Sequence, residues 1–400
     1  MGLKWNSCLR SLIPKGKLII KFLNALNFSV DEWYNLKGMT TNNYQNRSRR
    51  ASRPVKVGPV VIGGQSPISV QSMTNTDTWD KKATLEQIIK LAEAGCEIVR
   101  LAVPDSAAAD NLAYFVHNAP VPLVADIHFD HRLALTAIEA GIAKLRINPG
   151  NIGASSRVKL LASKAKERGI PIRIGVNAGS LEKDLLTKYG GPTPEGMVES
   201  ALRHIRLLEE ADFTDIVVSL KASSVPATIA AYRLLAEQCQ YPLHIGITEA
   251  GTWYKGSIRS AVGLGILLWE GIGDTMRVSL TGDPVREVEA GREILKSLGL
   301  RSFGATVVSC PTCGRCQVNL EKLAQAVETV AAKIDKPIKI AVMGCAVNGP
   351  GEAREADLGV AGGKGEFLIF RKGEVVRKVS ESNVLAFLEE ELTKMVDLKD

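Results

Sequence analysis

The chain has 400 residues, 45% of them hydrophobic, and this length favours two domains or one barrel with an addition. Its net charge of +7 is local, because residues 1–54 carry ten Lys/Arg against two acidic residues; the nearly neutral remainder gives no support to nucleic-acid binding. Most of the seven cysteines are clustered, which does not match a disulfide framework in a chain this long and indicates a reducing cytoplasm.

Residues 1–53 are predicted to be a disordered N-terminal extension that lies outside the fold. Their apolar run, Leu18–Leu23, contains a lysine and is well below the ~20 residues that a membrane span needs. No small-residue cleavage site follows it cleanly, so a secretory signal is not indicated. An Arg-rich, acid-poor segment is also typical of an organelle transit peptide, and that alternative stays open. We expect no membrane association.

From residue 54 to 299, apolar runs alternate with amphipathic segments at helical spacing. The predicted strands are Ile68–Met73, Glu97–Val103, Pro122–Ile127, Lys144–Asn148, Pro171–Asn177, Asp215–Lys221, Pro242–Thr248 and Thr275–Leu280. About eight strands over ~250 residues predict an α/β fold, a (β/α)₈ TIM barrel. A doubly wound open sheet is the alternative, but no glycine-rich loop follows the first strand.

From residue 300 to 400 the pattern changes to that of a small α+β domain. It contains two short strands, Ala305–Ser309 and Ile338–Val342, with an amphipathic helix between them that begins near Leu320. A hairpin and a closing helix from about Asn383 to Met395 follow.

Polar side chains cluster at the C-terminal ends of the predicted barrel strands, where such barrels build their active sites. They are Arg100, Asp126, His128, Arg146, Asn148, Arg173, Asn177, Ser219, Lys221, Arg277 and Ser279. A structural hydrogen bond or salt bridge explains any one of them. Together, several cations with few acids require an anion at the barrel mouth, and arginine forks suit a phosphate or diphosphate.

Four cysteines lie in two segments of the second domain, Cys310-Pro311-Thr312-Cys313-Gly314-Arg315-Cys316 and Gly344-Cys345. By spacing they fit an iron–sulfur cluster, a zinc knuckle or inert core thiols. The turn Asn348-Gly349-Pro350-Gly351 presents Glu352 near Cys345. Three thiolates and one carboxylate form an asymmetric site in which a hard oxygen covers one iron and can be replaced.

The motifs Cys-Pro-Thr-Cys-Gly-Arg and Gly-Cys-x-Val-Asn-Gly-Pro-Gly-Glu resemble those of the bacterial two-domain 4-hydroxy-3-methylbut-2-enyl diphosphate synthases of the methylerythritol phosphate route, from about Arg53 to the C-terminus. The resemblance implies reductive, two-electron ring opening of 2-C-methyl-D-erythritol 2,4-cyclodiphosphate, with loss of water. It also implies a 4Fe–4S cluster, ferredoxin or flavodoxin as electron donor, and a cytoplasmic head-to-tail homodimer with shared active sites.

The resemblance assigns roles to individual residues. The implied cluster ligands are Cys310, Cys313, Cys345 and the displaceable Glu352. The implied diphosphate-binding residues are Arg100, Arg146, Lys221, Arg277 and Ser279, with Asn148 and Asn177 close by. Asp126, His128 and Glu249 are expected to contact the substrate's hydroxyl region or to move protons. Cys316 departs from the family motif and leaves open whether it or Cys345 completes the thiolate set.

Two other function classes fit the residues alone. One is a zinc-knuckle binding protein on a barrel scaffold, which would contain zinc. The other is a metal-free barrel lyase, which would keep its activity after replacement of Cys310.

Overall fold

The computed structural model describes residues 48–152, 155–345, 351 and 354–397. The chain divides into two compact units, one that ends at Pro284 and one that begins at Val285. The predicted boundary at residue 299 lies later than this division, by the length of the helix Val285–Ser297.

The first unit contains eight parallel strands, β3 to β10, in the order β8-β7-β6-β5-β4-β3-β10-β9. They are β3 Ser69–Met73, β4 Ile98–Ala102, β5 Leu123–Asp126, β6 Lys144–Ile147, β7 Ile172–Asn177, β8 Ile216–Lys221, β9 His244–Gly246 and β10 Thr275–Arg277. A parallel bridge between Val218 and Leu243 joins the two ends of this sheet. The predicted TIM barrel is therefore confirmed.

The junction between β8 and β9 differs from the others. β7 and β8 pair over six residues, whereas β8 reaches the strand beyond it through the single Val218–Leu243 bridge. Two residues further along β8, the buried hydroxyl of Tyr232 accepts a hydrogen bond from the Leu220 amide (3.0 Å) and donates one to the His244 carbonyl (2.6 Å). A side chain from a surrounding helix thus replaces backbone pairing at this junction.

Helices follow the barrel strands and begin at the capping residues that the sequence supplies. They are α1 Lys81–Glu93, α2 Ser106–Asp110, α3 Leu112–Asn118, α4 His131–Glu139, α5 Pro149–Ile152, α6 Ser155–Arg168, α7 Lys183–Tyr189, α8 Pro194–Glu209, α9 Val225–Gln238, α10 Trp253–Trp269 and α11 Val285–Ser297, the last in the second unit. Asp80 and Ser224 accept hydrogen bonds from the first turns of α1 and α9. Across the described ranges, no helix is both long enough and apolar enough to cross a membrane.

An N-terminal hairpin, β1 Val55–Val57 and β2 Val60–Ile62, was missed by the sequence analysis. Its Val57 and Ile62 pack against Ile98 and Val124, near the starts of β4 and β5. The hairpin therefore covers the N-terminal end of the barrel, opposite the end where the predicted site residues lie.

The contacts of the chain with the barrel begin before residue 54, so the predicted boundary of the extension at residue 53 is too late. The Arg50 guanidinium donates to the carbonyls of Cys239 and Tyr241, both at 2.6 Å. Arg49 and Ser52 both donate to Oδ1 of the buried Asp274, at 3.1 and 2.7 Å. The rest of the predicted extension, residues 1–47, lies outside the described residues.

The second unit contains a five-stranded sheet in the order β11-β12-β13-β14-β15. Its elements are β11 Thr306–Ser309, α12 Leu320–Ala331, β12 Lys339–Met343, β13 Leu358–Gly362, β14 Glu366–Arg371, β15 Glu374–Ser380 and α13 Val384–Asp397. β11, β12 and β13 are parallel neighbours, and β14 and β15 continue the sheet antiparallel. The α+β prediction is confirmed, although the central strand β13 was missed.

Candidate active site

The C-terminal ends of the barrel strands surround a cavity of about 580 Å³. Six of the predicted site residues line it: Asp126, His128, Arg146, Asn177, Lys221 and Glu249. They come from β5 to β8 and from the loops after β5 and β9, so parallel strands bring together residues that are far apart in sequence. Asn148 directly follows β6 and Ser279 lies two residues after the end of β10, but neither lines this cavity.

Asp126 is the centre of a buried ion-pair network. Its Oδ1 accepts a hydrogen bond from Arg146 Nη1 at 2.9 Å, and its Oδ2 lies 3.6 Å from Arg100 Nε. Arg146 Nη1 also lies 2.8 Å from His128 Nε2, so that ring nitrogen accepts the bond in this arrangement. Burial alone would raise the pKa of Asp126, but Arg100, His128 and Arg146 together hold it well below its usual value. The carboxyl is therefore ionised at neutral pH.

Met73, the last residue of β3, connects two arginines that do not line the main cavity. Arg100 Nε lies 3.1 Å and Arg277 Nη1 3.7 Å from its sulfur. Met73 also lines a second cavity of about 390 Å³, which shares Asp126 and His128 with the first. The two cavities are therefore adjoining parts of one site, and Arg100 and Arg277 lie beside Met73 at its edge.

Two fully buried basic side chains lie deeper in the barrel. Lys144 and Arg173 have no exposed surface, and among the described residues neither the Lys144 amine nor the Arg173 guanidinium has a hydrogen-bond partner. Burial, followed by the charges of Arg173 and Arg100, lowers the pKa of Lys144 well below its usual value. Burial and the charge of Arg100 also lower the pKa of the half-buried Lys221. The barrel interior therefore favours a bound anion. Its arginines suit such a site because arginine, unlike lysine, keeps its positive charge when buried.

Gly175 of β7 provides the space that Arg146 occupies. A Cβ atom on this glycine would lie 2.7 Å from Arg146 Nη2, closer than real Cβ contacts come. The sequence analysis did not identify Gly175 or Lys144. The alternation of Lys144 with Arg146 along one strand was the available signal for the lysine, since residues two apart share a face.

In the second unit, the cysteines lie where two parallel strands end. Ser309 pairs with Val342, so Cys310 after β11 and Cys345 after β12 lie at the same edge of the sheet. The Gly344 amide donates to Cys310 Sγ at 3.2 Å. A Cβ on Gly344 would lie 2.7 Å from Cys316 Sγ. The strand register therefore places the segments that carry these cysteines at one edge of the sheet.

The cysteine edge fits an iron–sulfur cluster by its donor chemistry. Thiolates are the ligands such clusters use, and N–H donors to sulfur, like that of Gly344, tune them. Glu352, predicted as the fourth ligand, lies outside the described residues. Within the described part of the chain, no three Cys, His, Asp or Glu side chains already converge as a metal-binding group.

Comparison with known proteins agrees with both halves of the chain. The family model "GcpE TIM-barrel domain" matches residues 52–292, and "GcpE protein C-terminal domain" matches residues 306–394. A protein of Ruminiclostridium cellulolyticum named "4-hydroxy-3-methylbut-2-en-1-yl diphosphate synthase (flavodoxin)" is 60% identical over 347 residues, which cover 87% of this chain and 98% of that protein.

A protein of Geobacter sulfurreducens with the same name is 62% identical over 345 residues, covering 86% of this chain and 98% of its own length. The Yersinia pestis dihydropteroate synthase structure is similar at a TM-score of 0.45 and 12% identity, covering 62% of this chain and 98% of that one; on this similarity we base no conclusion. The two family models together span most of the described barrel and sheet domain, and on this basis the chain belongs to the GcpE family.

Proposed function

We propose that the barrel mouth of this chain binds the diphosphate of the substrate and that the cysteine edge holds the redox centre. The activity is that of the relatives, 4-hydroxy-3-methylbut-2-en-1-yl diphosphate synthesis, and the cofactor is a 4Fe–4S cluster, both as predicted; the zinc-knuckle alternative has no support. The observation that carries the substrate assignment is the set of buried cations around Asp126.

Charge balance is the physical argument for the diphosphate. Arg100, Arg146 and Arg173 are buried, and Lys221 lines the cavity beside them. Removing cations from water without counter-charges costs several kcal/mol per ion. A bound diphosphate supplies those counter-charges, and guanidinium groups match its geometry. Arg277, Asn148, Asn177 and Ser279 stay proposed as further substrate contacts, because they end or follow β6, β7 and β10 at the same edge.

The ionisation state of Asp126 separates its role from those of His128 and Glu249. Asp126 has a low pKa and therefore orients Arg100 and Arg146 rather than donating a proton. His128 is about half exposed and lines the cavity, with its Nε2 beside Arg146. Glu249 lines the same cavity from the loop after β9. These two side chains are the proposed proton carriers.

Cys310, Cys313, Cys345 and Glu352 are the proposed ligands of the cluster. A bound 4Fe–4S cluster supplies electrons and an iron that accepts oxygen as a Lewis acid. The overall reaction consumes two electrons and two protons and releases one water. Flavodoxin, named for the relatives, is the proposed electron donor, with ferredoxin as the alternative. A cytoplasmic homodimer with active sites shared between chains completes the proposal, and it rests on the family resemblance.

The test of the substrate site uses inorganic pyrophosphate as probe and calorimetry as readout. The wild-type chain is expected to bind pyrophosphate, and Lys221→Met to bind it at least tenfold more weakly. Lys159→Met, which changes an exposed lysine, is the matched control. Equal affinity in all three proteins would contradict the assignment of the barrel mouth.

The cluster and the dimer have separate tests. Anaerobic purification should give iron and acid-labile sulfide, and Cys345→Ser should lose both. For the dimer, mixing Arg277→Ala chains with Cys345→Ala chains should restore activity if each site uses two chains. Demonstrated subunit exchange without recovered activity would place each site within one chain.

A further inference from the structure

The loop that carries the cysteines contains a second Cys-x-x-Cys pair, Cys313 and Cys316. The proposed function uses Cys313 as a cluster ligand and gives no role to Cys316. The Cys316 amide donates to the Cys313 carbonyl at 2.9 Å, which closes a four-residue turn over Gly314 and Arg315. The Cα atoms at the ends of such a turn lie within about 7 Å, and disulfides span Cα distances of about 4.4–6.8 Å. The backbone thus already holds the two residues near disulfide range.

The two thiols have different surroundings. Cys313 is exposed, whereas Cys316 is half-buried and packs against the core of the second unit. The Cys316 thiol donates to the Val318 carbonyl at 3.3 Å. Because Gly344 has no Cβ, Cys316 Sγ can lie directly against its backbone. An oxidant reaches the exposed Cys313 thiol first, and the sheltered Cys316 thiol lies next to it. This arrangement is typical of a cysteine that is oxidised and a resolving cysteine that then forms a disulfide with it.

We propose that Cys313 and Cys316 form a reversible disulfide in the cluster-free chain. A peroxide oxidises the Cys313 thiol to a sulfenic acid and leaves as water; the Cys316 thiol then forms the S–S bond and releases a second water. One peroxide and two thiols give one disulfide and two waters. A dithiol reductant returns the electron pair and both protons, and is itself oxidised to a disulfide.

This disulfide protects an iron ligand during the period before the cluster is inserted. Without a resolving thiol, Cys313 would pass from sulfenic to sulfinic acid, which is not readily reversed. With the disulfide formed, cluster insertion waits for the reductant. The inference rests on the ligand assignment proposed above, in which Cys313 binds iron and Cys316 does not.

The test uses the full-length, cluster-free chain, reduced and then treated with about two equivalents of hydrogen peroxide, because oxidation of one thiol to a sulfinic acid consumes two peroxides. Trypsin cleavage after Arg315 separates Cys313 from Cys316, so only a disulfide keeps the two peptides together. Non-reducing mass spectrometry is expected to find this linked pair in the wild-type chain and in Cys310→Ser. Because Cys310 and Cys313 share one tryptic peptide, loss of the link in Cys310→Ser would assign it to Cys310 and overturn the proposal.

Two further variants complete the test. In Cys316→Ser, the same peroxide dose should give Cys313 sulfinic acid, a gain of ~32 Da. Cys239→Ser, which changes a barrel thiol, should behave like the wild type. Sulfinic acid at Cys313 in the wild type without a linked pair would overturn the proposal. Iron uptake by the reduced chains separates this inference from the proposed function: a Cys316→Ser chain that cannot take up iron contradicts the ligand assignment, whatever the disulfide map shows.

Discussion

Replacing Lys144 with methionine should stabilise the barrel, although it removes a charged residue type from a cation-rich site. The Lys144 amine is fully buried and has no hydrogen-bond partner among the described residues. Burial of such a polar group costs about 1–3 kcal/mol by protein mutational data. Methionine is unbranched, similar in length and apolar, so the substitution should recover about this amount. For a domain of this size that corresponds to a rise in Tm of ~2–12 °C.

The pH dependence of this effect has a definite sign. Burial lowers the pKa of Lys144 in the folded chain, so the unfolded chain binds more protons between the folded pKa and the unfolded value of about 10.4. Stability in the wild type therefore rises with pH through this window, by up to ~1.4 kcal/mol per pH unit from this group. Lys144→Met should lack that contribution.

Denaturant unfolding at pH 7, 8 and 9 measures both quantities, and Lys159→Met, at an exposed position, is the matched control. The stability difference between Lys144→Met and the wild type should be largest at pH 7 and should shrink as the pH rises. If Lys144→Met is less stable than the wild type at every pH, then Lys144 is charged and paired in the folded chain, and the reasoning is refuted.

Three other predictions follow from the described contacts. Asp126→Asn should lower the free energy of unfolding by about 3–5 kcal/mol and increase the Tm gain on pyrophosphate binding. Because the folded pKa of Asp126 is low, its carboxylate stabilises the fold above about pH 3.9, and this stabilisation is lost as the pH falls through the folded pKa. Thermal melts at several pH values, with and without pyrophosphate, measure both effects. Arg50→Met should cost about 1–3 kcal/mol in denaturant unfolding, because two carbonyls lose their donor, while Lys56→Met at an exposed position should cost little. Gly175→Ala should displace Arg146 and weaken pyrophosphate binding ~10–100-fold by calorimetry, and unchanged affinity would show that Arg146 does not reach the diphosphate.

The barrel could be predicted because its signal is local. Each of its eight strands is a short apolar run between amphipathic segments, and the glycines that end helices before several strands have positive φ, such as Gly141 at 81° and Gly169 at 64°. The strand ends then identified most of the polar residues of the cavity, because parallel strands in a barrel end at one face.

The missed elements depend on contacts between distant residues. β13 contains two glycines in five residues, which lowers its strand propensity. Its Gly359 is explained by packing, since the Phe370 ring occupies the place of a Cβ there. Lys144 and Arg173 lie in strands that were predicted correctly, but the depth of each side chain in the barrel follows from strand register, which is a long-range property. The contacts of Arg49, Arg50 and Ser52 with Asp274 likewise join residues that are far apart in the sequence.

At the junction of β8 and β9, the continuity of the barrel wall depends on one backbone bridge and one side chain, Tyr232. Tyr232 accepts a hydrogen bond from the Leu220 amide and donates one to the His244 carbonyl, so a rotation of its ring would break both and leave only the Val218–Leu243 backbone bridge at this junction. Lys221 ends β8 and Glu249 follows β9, so the two sides of this junction both carry residues that line the cavity, whereas β7 and β8 pair over six residues. We therefore expect the barrel to open locally at this junction first, with faster amide hydrogen exchange at Leu220 than along β7.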